Sequence, residues 1–158
     1  MHRLSMFAAI GLNNHCVRFY EKCNADYLKL FIPELAATLI NTRSNTKPVL
    51  VLDNHAAHKV CKELLDEHFQ VCFQAADSCA FNIVETYWSL VKRDFRKSMM
   101  SEPLRNRSVA EFNALVKEVC DGVAKKYRRN LWRSNIKYIE KYLLKAKELG
   151  IDELVDDS

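Results

Sequence analysis

The chain has 158 residues, of which 49% are hydrophobic and 28% charged, a balance typical of one globular domain with a single core. The formal net charge is a modest +4, and no stretch approaches the roughly 20 apolar residues of a membrane span, which argues against a membrane protein. Six cysteines without a Cys-x-x-Cys pair argue against a disulfide framework or a paired zinc site, and indicate free thiols in a reducing nuclear or cytoplasmic compartment.

The N-terminal segment predicts a β-hairpin. Residues 4–12 and 16–20 are strand-like runs, and Asn13-Asn14 between them tolerate the positive φ angles of a tight turn. The predicted role of this two-stranded ribbon is structural.

A helix is predicted next, from about Ala25 to Asn41, with Asn24 as its N-cap. Pro33 lies inside this helix and removes one backbone donor, so a kink or a split near Ile32 is expected. The helix would cross back to the following strand and cover one face of the sheet.

A carboxylate directly follows the next predicted strand. Residues 48–52 form an unbroken apolar run, which predicts a buried parallel strand. Asp53 stands where that strand ends, the position at which open α/β sheets build sites. A helix from about Ala56 to Phe69, with Val60 facing the core, and a short strand over residues 70–74 are expected next.

The stretch from about Phe81 predicts an amphipathic helix. On a helical wheel Glu85, Lys92 and Arg96 fall within about 60° of one another, opposite an apolar face. A carboxylate beside cations, facing a strand-end aspartate, is typical of a magnesium site next to a phosphate backbone. The same spacing also fits a structural interpretation, in which Asp53 caps a helix and Glu85 interacts with its helix neighbours. Spacing alone does not decide between this interpretation and a metal site.

Two more helices are expected beyond a loop over residues 98–107. Ser108 and Glu111 have the spacing of a capping box, which opens a helix to about Lys126, and a second helix runs from about Trp132 to Leu149. Basic residues with one aromatic separate these helices. The candidate nucleic-acid contacts in this cluster are Lys125, Lys126, Arg128 and Arg129.

The positive charge is concentrated in this part of the chain. Residues 92–147 hold 16 Lys and Arg against 6 Asp and Glu, whereas residues 148–158 hold five acidic residues and no basic one. A basic region beside an acidic tail favours a nucleic-acid surface, although a solvated helical face gives the same pattern.

One combination of motifs is more specific than any of these patterns alone. Asp53-Asn54-x-x-x-His58, followed after 31 intervening residues by Glu85 in Asn82-x-x-Glu85-x-x-Trp88, resembles the second half of mariner-like transposases. These are RNase H-like enzymes of the DDE endonuclease superfamily. The resemblance covers most of residues 4–97.

The resemblance implies an α/β fold, an RNase H-like mixed sheet flanked by helices, and an enzyme that cuts and joins DNA with Mg²⁺ or Mn²⁺. Asp53 and Glu85 would be the catalytic metal ligands. Further residues would contact DNA phosphates, and others would support the loops. The DNA contacts would be Lys92, Arg93 and Arg96, and the supporting residues Asn54, His58, Asn82 and Trp88.

Two departures from the family pattern qualify this expectation. The family usually has prolines in the loop leading to Asn82, where this chain has Ala75, Ala76, Cys79 and Ile83. Residues 1–20 hold no Asp or Glu, so the family's first aspartate has no counterpart and the first strand of the sheet is expected to be missing.

The expected organisation is a partial catalytic domain over residues 1–100, a basic helical extension over 101–150 and an acidic tail over 151–158. With one carboxylate missing, weak metal binding and little catalysis are expected. The alternatives are a non-catalytic nucleic-acid-binding or interaction module and a purely structural protein, and a homo-oligomer is possible. Without the first strand, the halves of the sheet would pair directly, remain marginally stable or borrow a strand from another chain.

Overall fold

The computed structural model describes residues 5–39, 46–75, 78, 81–101 and 108–148. Four strands and five helices follow one another in these ranges, so the predicted α/β composition is confirmed. The predicted acidic tail and most of the predicted loop over residues 98–107 lie outside the described residues. The elements are β1 Ser5–Ile10, β2 His15–Tyr20, α1 Ala25–Leu39, β3 Val49–Leu52, α2 Ala56–Val60, α3 Lys62–His68, β4 Gln70–Phe73, α4 Ile83–Ser101 and α5 Val109–Glu148.

The strands β1 and β2 form the predicted antiparallel hairpin. The backbone N–H of Gly11 donates to the carbonyl of Asn14 at 2.8 Å, so the two-residue loop consists of Leu12 and Asn13. The turn therefore lies one residue earlier than predicted. A Cβ at position 11 would lie 3.2 Å from that carbonyl oxygen, so glycine allows the strands to close tightly here.

Helix α1 is continuous, and the predicted split at Pro33 is wrong. The Asn24 side-chain oxygen accepts a hydrogen bond from the backbone N–H of Tyr27 at 3.1 Å, which confirms the predicted cap. Pro33 lies on the exposed side of the helix, while Phe31, Ile32 and other apolar residues bury the opposite side. This buried face keeps the helix intact, because its packing outweighs the loss of one backbone hydrogen bond.

Strands β3 and β4 pair in parallel, as predicted. The prediction that β3 is buried on both faces is wrong, since the side chains of Val49 and Val51 are 63% and 48% exposed. Leu50 and Leu52 point the other way and pack against the core formed with α1. Within the described residues, helices thus cover one face of β3 closely and leave the other open.

The helix expected over residues 56–69 is two short helices, α2 and α3, separated by a turn at Cys61. Val60 is 66% exposed rather than buried. The thiol of Cys61 is buried in its place, next to Leu65. The turn shifts the buried face of the helix by about one residue. A prediction that assumes one continuous helical periodicity over residues 56–69 cannot include that shift.

Helix α5 runs unbroken through 40 residues, so the prediction of two helices separated by the basic cluster is wrong. The cluster contains neither glycine nor proline, and Lys and Arg are good helix formers. The capping box at its start is confirmed. The carboxylate of Glu111 accepts a hydrogen bond from the backbone N–H of Ser108 at 2.7 Å, and the Ser108 hydroxyl accepts one from the N–H of Glu111 at 3.3 Å.

The hairpin lies between two helical layers and contributes to two cores. Adjacent residues of β2 point to opposite sides, so Cys16 packs with α1 and α3 whereas Val17 packs with α4 and α5. The core on the α4–α5 side contains Tyr87, which is fully buried and whose hydroxyl donates to the backbone carbonyl of Cys120 at 3.1 Å. Helix α5 is thereby fixed to α4 and, through the hairpin, to the rest of the fold.

Within the described residues the strands form two separate two-stranded sheets, β1–β2 and β3–β4. The expected single mixed sheet is not seen in these ranges, and the two halves do not pair directly with each other. None of the described helices has the length and apolar character needed to span a bilayer. The five described cysteines are free thiols, as predicted, and Cys79 lies outside the described residues.

We expect Tyr87→Phe to lower the free energy of unfolding by about 1 kcal/mol, because the buried carbonyl of Cys120 loses its side-chain donor. The measurement is urea unfolding followed by circular dichroism. Tyr142→Phe removes the same atom from an exposed ring and should change the stability by less than about 0.5 kcal/mol. Equal losses in the two variants would show that the buried hydrogen bond contributes nothing of its own.

Candidate active-site cavity and basic surface

A cavity of about 300 Å³ opens between β1 and β3. Its walls are largely apolar, from the two strands, α1 and α5. Polar side chains also line it, and several of them follow the ends of strands. These polar residues are Asp53, His58, Gln74, Asn82 and Asn135.

Asp53 follows β3 directly and lines this cavity, with its side chain 53% exposed. Its Oδ1 accepts a hydrogen bond from the backbone N–H of His55 at 3.2 Å and lies 2.7 Å from Nδ1 of His58. The same ring nitrogen lies 3.2 Å from the backbone carbonyl oxygen of Asp53. His58 therefore contacts both the side chain and the backbone of Asp53, and its support of the strand-end loop stays a prediction.

Asn54 connects the ends of the two parallel strands. Its side-chain amide donates to the backbone carbonyl of Gln74 at 2.6 Å, and the N–H of Gln74 donates to the carbonyl of Leu52 at 2.7 Å. The loop that carries Asp53 is thus anchored to β4 as well as to β3. The supporting role expected for Asn54 in the site stays a prediction.

Asn82 lines the cavity at the start of α4. Its side-chain oxygen accepts a hydrogen bond from the backbone N–H of Val84 at 3.2 Å, and its carbonyl accepts one from the N–H of Glu85 at 3.1 Å. Asn135 on α5 donates to the carbonyl of Phe81 at 3.2 Å. Sequence reasoning missed Asn135, because it lies 54 residues from its partner and no local motif marks it.

Glu85 lies in the first turn of α4 and is exposed. The cavity lining contributed by this helix ends at Val84, so the convergence of Asp53 and Glu85 on one cation stays a prediction. The Ser89 hydroxyl donates to the backbone carbonyl of Glu85 at 3.1 Å. Trp88, expected to support the site, is half-buried against Tyr87, with the ring centroids 5.1 Å apart.

The basic residues of α4 and α5 meet at one aromatic ring. Arg93 on α4 donates to the hydroxyl of Tyr127 on α5 at 3.1 Å, and its guanidinium carbon lies 5.4 Å from that ring centroid. The ammonium nitrogen of Lys126 lies 5.0 Å from the same centroid. Asp94 accepts a hydrogen bond from Arg93 at 2.8 Å and offsets part of the charge. The other predicted contacts, Lys92, Arg96, Lys125 and Arg129, are exposed on the same two helices, and Arg128 is half-buried.

A comparison with protein families matches residues 1–105 to the family described as DDE superfamily endonuclease. The chain belongs to this family. Neither a comparison with curated proteins nor one with solved structures gave a significant match. The DDE endonuclease match contains β1 to β4 and α4, with Asp53, Asn82 and Glu85, whereas α5 lies beyond it.

DDE superfamily endonucleases act on DNA and generally use divalent metal ions. The carboxylate of Asp53 is an oxygen ligand of the kind that Mg²⁺ prefers, but Mg²⁺ takes about six oxygen ligands, several of them often water. Among the described residues no three His, Cys, Asp or Glu side chains come together as a metal site. The donor chemistry of Asp53 therefore suits a divalent cation, and the residues that the structure describes do not add a full set of protein ligands beside it.

The geometry around Tyr127 makes a titration measurable. Hydrogen bonding from Lys126, with that from Arg93, lowers the pKa of the Tyr127 phenol. We expect the difference in phenolate absorbance between the wild type and Tyr127→Phe to show a group that ionises below the ordinary pH of about 10. Lys126→Gln should move this titration upward, since it removes the cation whose hydrogen bonding lowers the pKa of Tyr127 most. Lys147→Gln on the same helix should leave it in place, and an equal response to both variants would contradict the described geometry.

Proposed function

We propose that this chain is a DNA-binding domain of mariner-like transposase type whose own residues are insufficient for strand cleavage. The observation that carries the proposal is the DDE endonuclease match over residues 1–105, within which Asp53 and Asn82 line one cavity. The basic α4–α5 surface that meets at Tyr127 supports DNA as the ligand.

In this proposal Asp53 and Glu85 are the carboxylates that take part in holding Mg²⁺ or Mn²⁺. Such an ion supplies charge stabilisation at a phosphate and activation of water. His58 fixes the Asp53 carboxylate, and Asn82 fixes the first turn of α4, which carries Glu85. Asn54 and Trp88 support the site indirectly. Asn54 connects the ends of the two parallel strands, and Trp88 packs against Tyr87 on α4.

The basic residues would bind the phosphate backbone without reading sequence. Lys and Arg side chains neutralise phosphates and release counterions, so binding of this kind weakens steeply with salt. Arg93 and Lys126 occupy the centre of the surface, because each contacts Tyr127 from a different helix. Lys92, Arg96, Lys125, Arg128 and Arg129 would extend the surface on either side.

The second candidate is a binding module that has no nuclease role at all. Two observations favour it: no three metal-ligating side chains come together among the described residues, and half of the basic surface lies on α5, beyond the family match. Cleavage and binding assays separate the two candidates, because only the first one needs Asp53 and Glu85.

We expect little or no nicking of supercoiled DNA by this chain in Mg²⁺ or Mn²⁺, because its two candidate carboxylates fall short of the family's three. The assay compares the wild type with Asp53→Asn and Glu85→Gln, which keep side-chain size and remove charge. All three should be equally inactive. Robust cutting by the wild type that is lost in Glu85→Gln would overturn the proposed incompleteness and favour an active nuclease.

We expect duplex DNA binding to weaken with salt, with a slope of log K against log salt of about 0.9 per neutralised phosphate. The double variant Arg93→Gln/Lys126→Gln should bind more weakly and reduce the magnitude of that slope by about 2. Lys29→Gln/Lys59→Gln removes the same charge from exposed positions on α1 and α2 and should leave the slope unchanged. Equal effects of the two double variants would show that net charge alone, rather than the α4–α5 surface, binds the DNA.

A further inference from the structure

A row of cations runs along the exposed side of α5. From residue 125 to residue 145 every fourth residue is Lys or Arg, and all of these residues are exposed. The members of this row, which we call the cation row, are Lys125, Arg129, Arg133, Lys137, Lys141 and Lys145. Its first and last members are about 30 Å apart along the helix axis, because each residue of an α-helix adds about 1.5 Å.

Neighbouring carboxylates do not neutralise the cation row. Earlier on α5, the ammonium nitrogen of Lys117 lies 2.7 Å from a carboxylate oxygen of Asp121. Beyond Asp121, no member of the cation row forms an ion pair with another residue that the structure describes. Residues 125–148 hold nine Lys and Arg against two Asp and Glu. This half of α5 therefore presents an uncompensated positive charge to the solvent, which attracts a polyanion.

Two tyrosine rings lie beside the C-terminal end of the cation row. Tyr138 and Tyr142 precede Lys141 and Lys145 by three residues each, and residues three apart are neighbours on a helix surface. The two ring centroids are 4.7 Å apart, and Phe81 contacts both rings at centroid distances of 5.4 and 5.2 Å. Despite these contacts Tyr138 is 36% exposed and Tyr142 is 47% exposed. Part of each ring is therefore open to a ligand.

The path of the cation row favours a flexible polyanion over a duplex. Four residues advance an α-helix by about 40° more than one full turn, so five such steps turn the row by about 200° around the helix. Lys125 and Lys145 therefore point to nearly opposite sides of α5. A DNA duplex is stiff over about 150 base pairs, so it lies along one side of the helix and reaches only part of the row. A flexible single strand can follow the row along its whole length.

The tyrosine pair favours a polyanion that carries unpaired bases. The faces of unpaired bases stack on aromatic side chains, whereas a duplex encloses the faces of its bases. Sites for single strands combine such rings with cations that follow the phosphate backbone. Both features lie side by side on α5, where Tyr138 and Tyr142 adjoin the last two lysines of the row.

We propose that the cation row, with Tyr138 and Tyr142, binds single-stranded DNA: the cations bind successive phosphates, and the two rings stack on bases. This inference rests on the proposed DNA binding and adds the form of DNA that the C-terminal half of α5 takes. Arg93 and Lys126 keep their proposed role in duplex binding.

The probes are two fluorophore-labelled strands of about 16 nucleotides, the upper end of typical single-strand site sizes. One is an all-thymidine strand, which does not pair with itself, and the other has the same phosphates but only abasic sites. Binding is followed by fluorescence anisotropy in EDTA. The wild type should bind the thymidine strand about tenfold or more tightly than the abasic strand, because only the first has bases to stack. Equal affinities would show that phosphates alone are bound and would overturn the proposal without any variant.

Paired variants test the rings. Tyr138→Leu/Tyr142→Leu keeps apolar side chains that suit a helix but removes both rings, so it should bind the thymidine strand as weakly as the abasic strand. Tyr138→Phe/Tyr142→Phe removes only the hydroxyls, which lie 3.1 Å apart, and should keep the preference for thymidine. An undiminished preference in the leucine variant, or its loss in the phenylalanine variant, would overturn the stacking role.

The cation row is tested through the salt dependence of binding to the thymidine strand. Lys137→Gln/Lys141→Gln should reduce the magnitude of the slope of log K against log salt by about 1.4, about 0.7 for each phosphate of a single strand. Lys29→Gln/Lys59→Gln should leave the slope unchanged. Equal effects of the two double variants would overturn the assignment to the cation row.

A duplex of the same length, measured in parallel, separates this inference from the proposed function. Binding of the duplex without binding of the thymidine strand would overturn the single-strand site and support the proposed function. Failure to bind either form of DNA would overturn both.

Discussion

The two faces of the β1–β2 hairpin constrain the whole fold. Because adjacent strand residues point to opposite sides, Cys16 and Val17 of the same strand pack into two different cores. One core requires α1 and α3, and the other requires α4 and α5. The hairpin is therefore the layer that both cores share, and its strand β1 also lines the cavity.

Several local signals were read correctly from the sequence, because one short stretch of chain contained the information for each of them. The Asn24 cap, the Ser108–Glu111 capping box and the contact of His58 with the Asp53 loop all join residues within a few positions of each other. Such contacts are set by backbone geometry alone, so spacing was enough. The DDE motif was recognisable for the same reason, since each of its parts is a short local pattern.

Tertiary packing decided several of the features that were predicted wrongly. A proline breaks an isolated helix, yet α1 continues through Pro33 because its other side is buried. The turn at Cys61 buries that cysteine and leaves Val60 exposed. In the candidate site, contacts between distant segments, such as Asn135 with Phe81 and Arg93 with Tyr127, carried no sequence signal.

The uninterrupted α5 has a mechanical consequence. A helix of 40 residues is a rod about 60 Å long, stiff over its whole length. Its middle carries Lys126 and Tyr127, and two turns later Asn135 holds the Phe81 carbonyl at the entrance to α4. The Lys126–Tyr127 part of the basic surface and the Asn82 corner of the cavity are therefore joined by one uninterrupted helix.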